Sequence, residues 1–309
     1  MTATIAVTGG SGFVGSHLVA RLSEGGHDLR LLMRGGKRPP PEDVHVVSGD
    51  LADRDALDEL CAGAEILVHC AGLITARTAA EYDAVNSTAT VLLVERARRA
   101  GVRRIILLSS LAAREPNLSS YGASKHRGEQ ALVGISEPRW VILRPPAVYG
   151  PGDRGTLPLV DQLRRRLSLI PGHHDARVSL IHVVDLVSAI DHLIADASID
   201  GRIVELDDGR RGGYSWEDLK VAATGEKSGR CLFIPRPLLS TATAGLGFWS
   251  GLTGAVPMLT PGKVAELYHR DWVCRNDLLD ELTEWSPNVP FARGFSETLA
   301  WYRAEGWLS

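Results

Sequence analysis

Short aliphatic runs alternate with longer amphipathic stretches through the first half of the chain, and this alternation constrains the fold more than any other feature. Ile5 to Thr8, Leu29 to Met33, Val44 to Val47, Ile66 to His69, Ile105 to Ser109 and Trp140 to Leu143 read as strands. Between them, Val14 to Glu24, Arg54 to Cys61, Tyr82 to Arg99 and Ser120 to Val133 carry helical periodicity. Such order predicts an α/β fold, a doubly wound parallel sheet with helices on both faces and right-handed crossovers. After about Pro151 the pattern loosens, although Val178 to Val184 and Arg202 to Leu206 still read as strands. The expectation is a nucleotide-binding domain over residues 1–150, and a smaller, mainly substrate-binding C-terminal subdomain over 151–309, part of which folds back onto the sheet.

Composition narrows the function classes. With 309 residues, 44% hydrophobic and 23% charged, the chain is ordinary globular protein, and a net charge of −3 gives no field suited to nucleic acid. The clusters Arg103-Arg104 and Arg164-Arg165-Arg166 read as solvated helix ends or faces. Cys61, Cys70, Cys231 and Cys274 lack the spacing of a zinc site or a disulfide framework, so no metal is implied. Met1 to Ile5 runs at once into a strand without the basic and apolar regions of a signal peptide, which predicts a cytoplasmic protein. From Pro237 to Gly262 no charged residue occurs, yet Gly, Thr and Pro make the stretch a poor spanning helix. It reads as a buried helix pair walling a substrate cleft, with peripheral membrane contact or a subunit interface as alternatives.

Gly9, Gly12 and Gly15 fall between the first strand and the first helix, where missing side chains let the backbone turn tightly and approach a pyrophosphate at the helix N-terminus. Phe13 and Val14 belong to the same loop. This is the Rossmann arrangement, although the spacing is Gly-x-x-Gly-x-x-Gly. A carboxylate at the end of the second strand would select NAD(H). Arg34 stands there instead, with Lys37 and Arg38 behind it, which suits a 2′-phosphate and predicts NADP(H) ahead of NAD(H). The alternative reading is a solvated basic loop. Asp50 and Leu51 follow the third strand, where Asp50 offers an acceptor to an adenine amino group. Ala71 and Gly72 end the fourth with side chains small enough to admit a cofactor.

Tyr121 and Lys125, in Tyr-Gly-Ala-Ser-Lys, lie four residues apart on one helix face, so an ammonium there would favour the phenolate and draw the phenol pKa toward neutrality. Tyr121 is thereby a candidate general acid or base.

With these glycines, Gly49-Asp50-Leu51, Cys70-Ala71-Gly72, Ser109-Ser110 and Tyr-x-x-x-Lys in one order, the chain resembles the short-chain dehydrogenase/reductase superfamily, in its extended branch of NAD-dependent epimerases and dehydratases. The resemblance continues through Arg144 to Asp153, Ile181 to Leu186 and Ala300 to Leu308. It implies that Tyr121 exchanges a proton with the substrate oxygen while Lys125 lowers its pKa and binds the nicotinamide ribose. It also implies that Ser110, with Ser109 as fallback, binds that oxygen, that Asn86 lies near the cofactor, and that backbone near Pro145 to Val148 positions the nicotinamide. Dimerisation through the helices after the fourth and fifth strands is a further family expectation.

Departures from the family shape the functional reading. Many nucleotide-sugar enzymes of the family have Asn where Ala147 stands and Arg where Val178 stands, and dehydratases place acidic residues where Leu111-Ala112-Ala113 stands. The leading expectation is therefore an NAD(P)-dependent dehydrogenase or reductase of a small, rather apolar carbonyl or secondary alcohol. A nucleotide-sugar epimerase or dehydratase and a non-catalytic, cofactor-bound accessory protein are the alternatives.

Overall fold

The computed structural model describes residues 2–35, 44–224, 230–240 and 260–308. Seven parallel strands form its central sheet: β1 (Thr4–Thr8), β2 (Asp28–Met33), β3 (His45–Ser48), β4 (Ile66–His69), β5 (Arg104–Leu108), β6 (Arg139–Arg144) and β7 (Arg202–Glu205). Their spatial order is β7-β6-β5-β4-β1-β2-β3. The strand order reverses at β1, which pairs with β2 on one side and β4 on the other, and the C-terminal ends there open a crevice.

Side-chain alternation explains the layering. Ile5, Val7, Val68, Ile106, Leu108, Val141 and Leu143 enter one core, against α1 (Phe13–Glu24). Ala6, Leu67, Ile105, Leu107, Trp140 and Ile142 enter the opposite one, against α2 (Arg54–Cys61). The inner strands β1, β4, β5 and β6 thus bury both faces, which is why their runs are mainly aliphatic.

The helices after β4 depart from expectation. Tyr82 to Arg99 is not one helix but α3 (Ala79–Asp83), a π-helical turn over Ala84–Thr88 and α4 (Ala89–Arg99). The extra residue of the π turn carries Asn86, and such bulges re-aim side chains at functional positions. Next come α5 (Ser120–Glu129), shorter than the expected Ser120 to Val133, and α6 (Leu157–Arg164). Val178 to Val184 is also not one strand: Arg177–Val178 and Leu180–His182 are separate short strands, and α7 (Val183–Ala195) begins at once, N-capped by His182. The β-branched run there is a buried helix start, since period-2 and helical readings coincide over so few residues.

The second half contributes β7 to the main sheet. It also builds a third core around Tyr149, Ile170, Trp216, Phe291, Phe295 and Tyr302. In this core lie α8 (Trp216–Thr224) and α11 (Phe291–Ala304), while the second half also supplies α9 (Pro261–Tyr268) and α10 (Leu279–Leu282), whose Leu279 joins the first core. Buried Asp185 of α7 accepts hydrogen bonds from the backbone amides of Asn288 and Val289 (both 3.0 Å), tying this half to the sheet. Most of the charge-free stretch from Pro237 to Gly262 lies outside the described residues. Among those described, no helix is long and apolar enough to cross a membrane.

Candidate active site

At the crevice the glycine loop and the end of β4 are in contact. Gly9 has φ +78°, and a Cβ there would stand 2.6 Å from the Ala71 amide nitrogen. A Cβ on Gly15 would stand 2.0 Å from the Gly9 carbonyl oxygen, so α1 packs on its own loop only because both are glycine. Gly12 caps α1 without a side chain and no acidic residue occupies the first turn, leaving the positive end of the helix dipole open to an anion. Phe13 and Val14 are half-buried beside it. Beneath, the Thr8 hydroxyl is 2.6 Å from His69 Nδ1, and His69 Nε2 is 3.1 Å from the Thr90 hydroxyl. Burial, helped by the Lys125 ammonium, lowers the His69 pKa to about 3, so this ring is a neutral strut.

Arg34 is exposed immediately after β2, at the crevice edge, while Lys37 and Arg38 lie outside the described residues. Asp50 is exposed and one of its carboxylate oxygens caps the Ala52 amide (2.8 Å). Leu51 packs into the core behind it. These features fit a dinucleotide: a phosphate cradle that side chains would fill, an open helix N-terminus, and polar groups along the ends of β2 and β3.

Asn86 is buried and fully engaged. Its Nδ2 donates to the Leu73 carbonyl and to the Ser124 hydroxyl (both 2.9 Å), and its Oδ1 accepts from the Leu73 amide (2.7 Å). It therefore clamps the loop after β4 to α5. A Cβ on Gly72 would come 3.4 Å from Lys125 Nζ and 3.3 Å from Asn86 Oδ1, so Gly72, Asn86 and Lys125 converge.

Ser119 N-caps α5, accepting from the Gly122 amide (2.9 Å), and α5 presents Tyr121 and Lys125. Tyr121 lies close to Ser110, whose side chain favours the phenolate, and the Ser110 hydroxyl accepts from the Ala112 amide (3.2 Å). Ser109, by contrast, donates to buried Glu129 Oε1 (2.6 Å), which removes it as the fallback. The expected depression of the Tyr121 pKa is not what the fold produces. Burial pushes the phenol up to about 12; Ser110 opposes this, while Glu266 and Tyr82 add to it. Lys125 Nζ donates to the Leu108 carbonyl (2.7 Å), at the end of β5. Burial lowers the lysine pKa to about 8 despite the Glu129 carboxylate. Four-residue spacing put the pair on one helix face but did not predict the desolvation both groups suffer.

Behind the pair, Glu129 is 0% exposed and takes two bonds from Arg144, to Oε1 from Nε (2.8 Å) and to Oε2 from Nη2 (2.5 Å). Pro145 follows, buried, its carbonyl accepting from the Leu111 amide (2.8 Å). Val148 lies in the strand Ala147–Tyr149, which pairs with Leu180–His182. Two residues to which the sequence reading assigned no site role belong here. His69 had only its strand position to announce it, and Glu266, bonded to the Ser119 hydroxyl from 147 positions away, had no local signal. Elsewhere, His173, His174 and Asp175 bring donor atoms within 4.8 Å of one another, but Arg270 also reaches His173 Nε2 (2.8 Å).

A parallel sheet whose order reverses beside a glycine cradle, with Tyr, Ser and Lys grouped at the next strand ends, defines a dinucleotide-binding α/β enzyme. The NAD dependent epimerase/dehydratase family profile matches residues 5–206, and the chain belongs to that family. It is 41% identical to a ceramide reductase of Caulobacter vibrioides, over 98% of this chain and 96% of that one. A 4-hydroxy-2-methyl-3-oxo-4-farnesyl-3,4-dihydroquinoline-1-oxide ketoreductase of Stigmatella aurantiaca is 30% identical over 66% of this chain and 67% of its own. The Bordetella bronchiseptica enzyme WbmG, solved with NAD and UDP, shares the fold at a TM-score of 0.73 and 20% identity, covering 99% of this chain and 96% of that one. The chain is accordingly an enzyme, an oxidoreductase of this family, and the accessory-protein alternative gives way.

Proposed function

We propose that this enzyme reduces a ketone on a long-chain, amide-bearing lipid of the ceramide class, using NADPH ahead of NADH. The observation that carries the chemistry is Ser110 standing beside Tyr121, with Lys125 one turn further along α5. Ser110 holds the ketone oxygen, and Tyr121, protonated across the neutral range because its pKa stands near 12, donates the proton to that oxygen. Reduced nicotinamide, when bound, supplies the hydride to the carbonyl carbon. Lys125, Asn86 and Gly72 would form the wall facing its ribose, and Gly9, Gly12 and Gly15 would cradle the phosphates. A high tyrosine pKa suits this direction, since reduction needs the acid and alcohol oxidation the phenolate.

The substrate class rests on the relationship to the ceramide reductase along nearly the whole chain. A ceramide carries a secondary alcohol beside the carbon that bears its amide nitrogen, so reduction yields it from the corresponding ketone. Ala147 and Val178, where nucleotide-sugar enzymes carry Asn and Arg, support an apolar substrate. The nucleotide preference rests on Arg34.

Purified enzyme given the 3-keto form of an N-acyl sphingoid base in detergent should consume NADPH and form one equivalent of alcohol, followed by nicotinamide absorbance and mass spectrometry. Failure to reduce any such ketone, with interconversion of a UDP-sugar and no net change in cofactor redox state, would refute the reading in favour of an epimerase.

A further inference from the structure

The strand Leu167–Ile170 pairs in parallel with Arg230–Phe233, setting Leu167 beside Arg230 and Leu169 beside Leu232. The inward side is satisfied: Ser168 and Ile170 are buried, and Cys231 and Phe233 pack on the third core. On the outward side, where a solvated sheet carries polar residues, Leu167, Leu169 and Leu232 are exposed by 47%, 47% and 53%. Leu238, in the helical turn after the second strand, is 64% exposed. Single exposed leucines are ordinary, but three on one strand-pair face are a patch.

Arginines stand close to this patch. Arg166 and Arg230 are exposed and joined through their backbones at the start of the pair (3.1 Å), and exposed Arg236 lies between Leu232 and Leu238. The face is also rigid, because buried Lys220 donates to the Leu163 carbonyl (2.9 Å) and the Ser168 hydroxyl (2.6 Å) from behind. It adjoins the cleft: Tyr268, the last residue of α9, hydrogen-bonds the Ile234 carbonyl, and Glu266 of the same helix bonds Ser119 at the head of α5.

We infer that this face docks on an anionic lipid bilayer, with the leucines at the acyl boundary and the arginines on the headgroup phosphates. Apolar side chains rimmed by cations are the combination that holds a protein in the interfacial plane without spanning. In a chain of net charge −3 the basic rim is local. The choice of a bilayer over other occupants rests on the lipid-substrate reading above, since a long-chain ketone partitions into membranes and would reach the cleft along α9.

Flotation of the full-length enzyme with equimolar phosphatidylglycerol/phosphatidylcholine vesicles, against pure phosphatidylcholine, tests this. The wild type should float with the anionic vesicles and weaken at high salt. Leu167→Ser/Leu169→Ser/Leu232→Ser should bind at least tenfold more weakly. It should reduce a vesicle-borne long-chain ketone correspondingly more slowly and a short-chain soluble analogue at the wild-type rate. Should that variant misfold, Arg166→Glu/Arg230→Glu serves as the second test, with the same expectation. Absence of wild-type flotation, wild-type flotation by a folded patch variant, or a patch substitution that only turns a dimer into a monomer would each overturn the inference. If neither ketone is reduced, the reductase reading fails, while flotation still decides the docking face.

Discussion

Replacing Arg144 by Met should destabilise the enzyme by about 3–5 kcal/mol, because it leaves the Glu129 carboxylate buried without its cation. The structure sets that magnitude at the high end of single substitutions: Glu129 is 0% exposed, and the Arg144 side chain is 14% exposed and makes both bonds. With a urea dependence of about 3 kcal/mol per molar for a chain of this size, the unfolding midpoint should fall by roughly 1–1.7 M. Following unfolding by tryptophan fluorescence measures it. The double substitution Arg144→Met/Glu129→Leu should recover most of the loss, leaving roughly 1 kcal/mol for the Ser109 hydroxyl, whose acceptor is gone. A single variant within about 0.3 M of wild type on the same scale, or a double variant no more stable than the single, would refute the argument that a buried, mutually dependent ion pair holds α5 to β6.

Three further outcomes follow from the site. Tyr121→Phe should cut kcat by about 10²–10⁴-fold with cofactor affinity nearly unchanged; wild-type turnover would remove Tyr121 from the mechanism. Arg34→Asp should reverse a preference for NADPH of roughly tenfold to a hundredfold, and titration of both cofactors at two salt concentrations checks it, with tighter NADH binding by the wild type returning Arg34 to the solvated-loop reading. Glu266→Gln removes an anion that raises the Tyr121 pKa, so the alkaline limb of the alcohol-oxidation profile, which reports the phenolate, should move to lower pH; an unmoved limb would show that Glu266 only caps Ser119.

Local sequence determined the layout of this protein. Period-2 and helical patterns are properties of neighbouring residues, so all seven sheet strands, α1, α2 and the glycine turn were legible to within a residue or two. The resemblance carried by the order of short motifs gave the family. Tertiary structure decided what depends on long-range neighbours. The Val178 to Val184 run became two strands and a helix because its backbone hydrogen-bond partners, Tyr214 and Trp272 among them, come from other segments. The π turn at Asn86 carries the side chain that clamps the β4 loop to α5, a contact between distant segments. Ser109 and Ser110 look alike in sequence, and only the position of Glu129 turned one inward and left the other to meet Tyr121. The direction of the tyrosine shift was likewise set by burial and by Glu266. Desolvation and charge act through space, and spacing along the chain does not encode them.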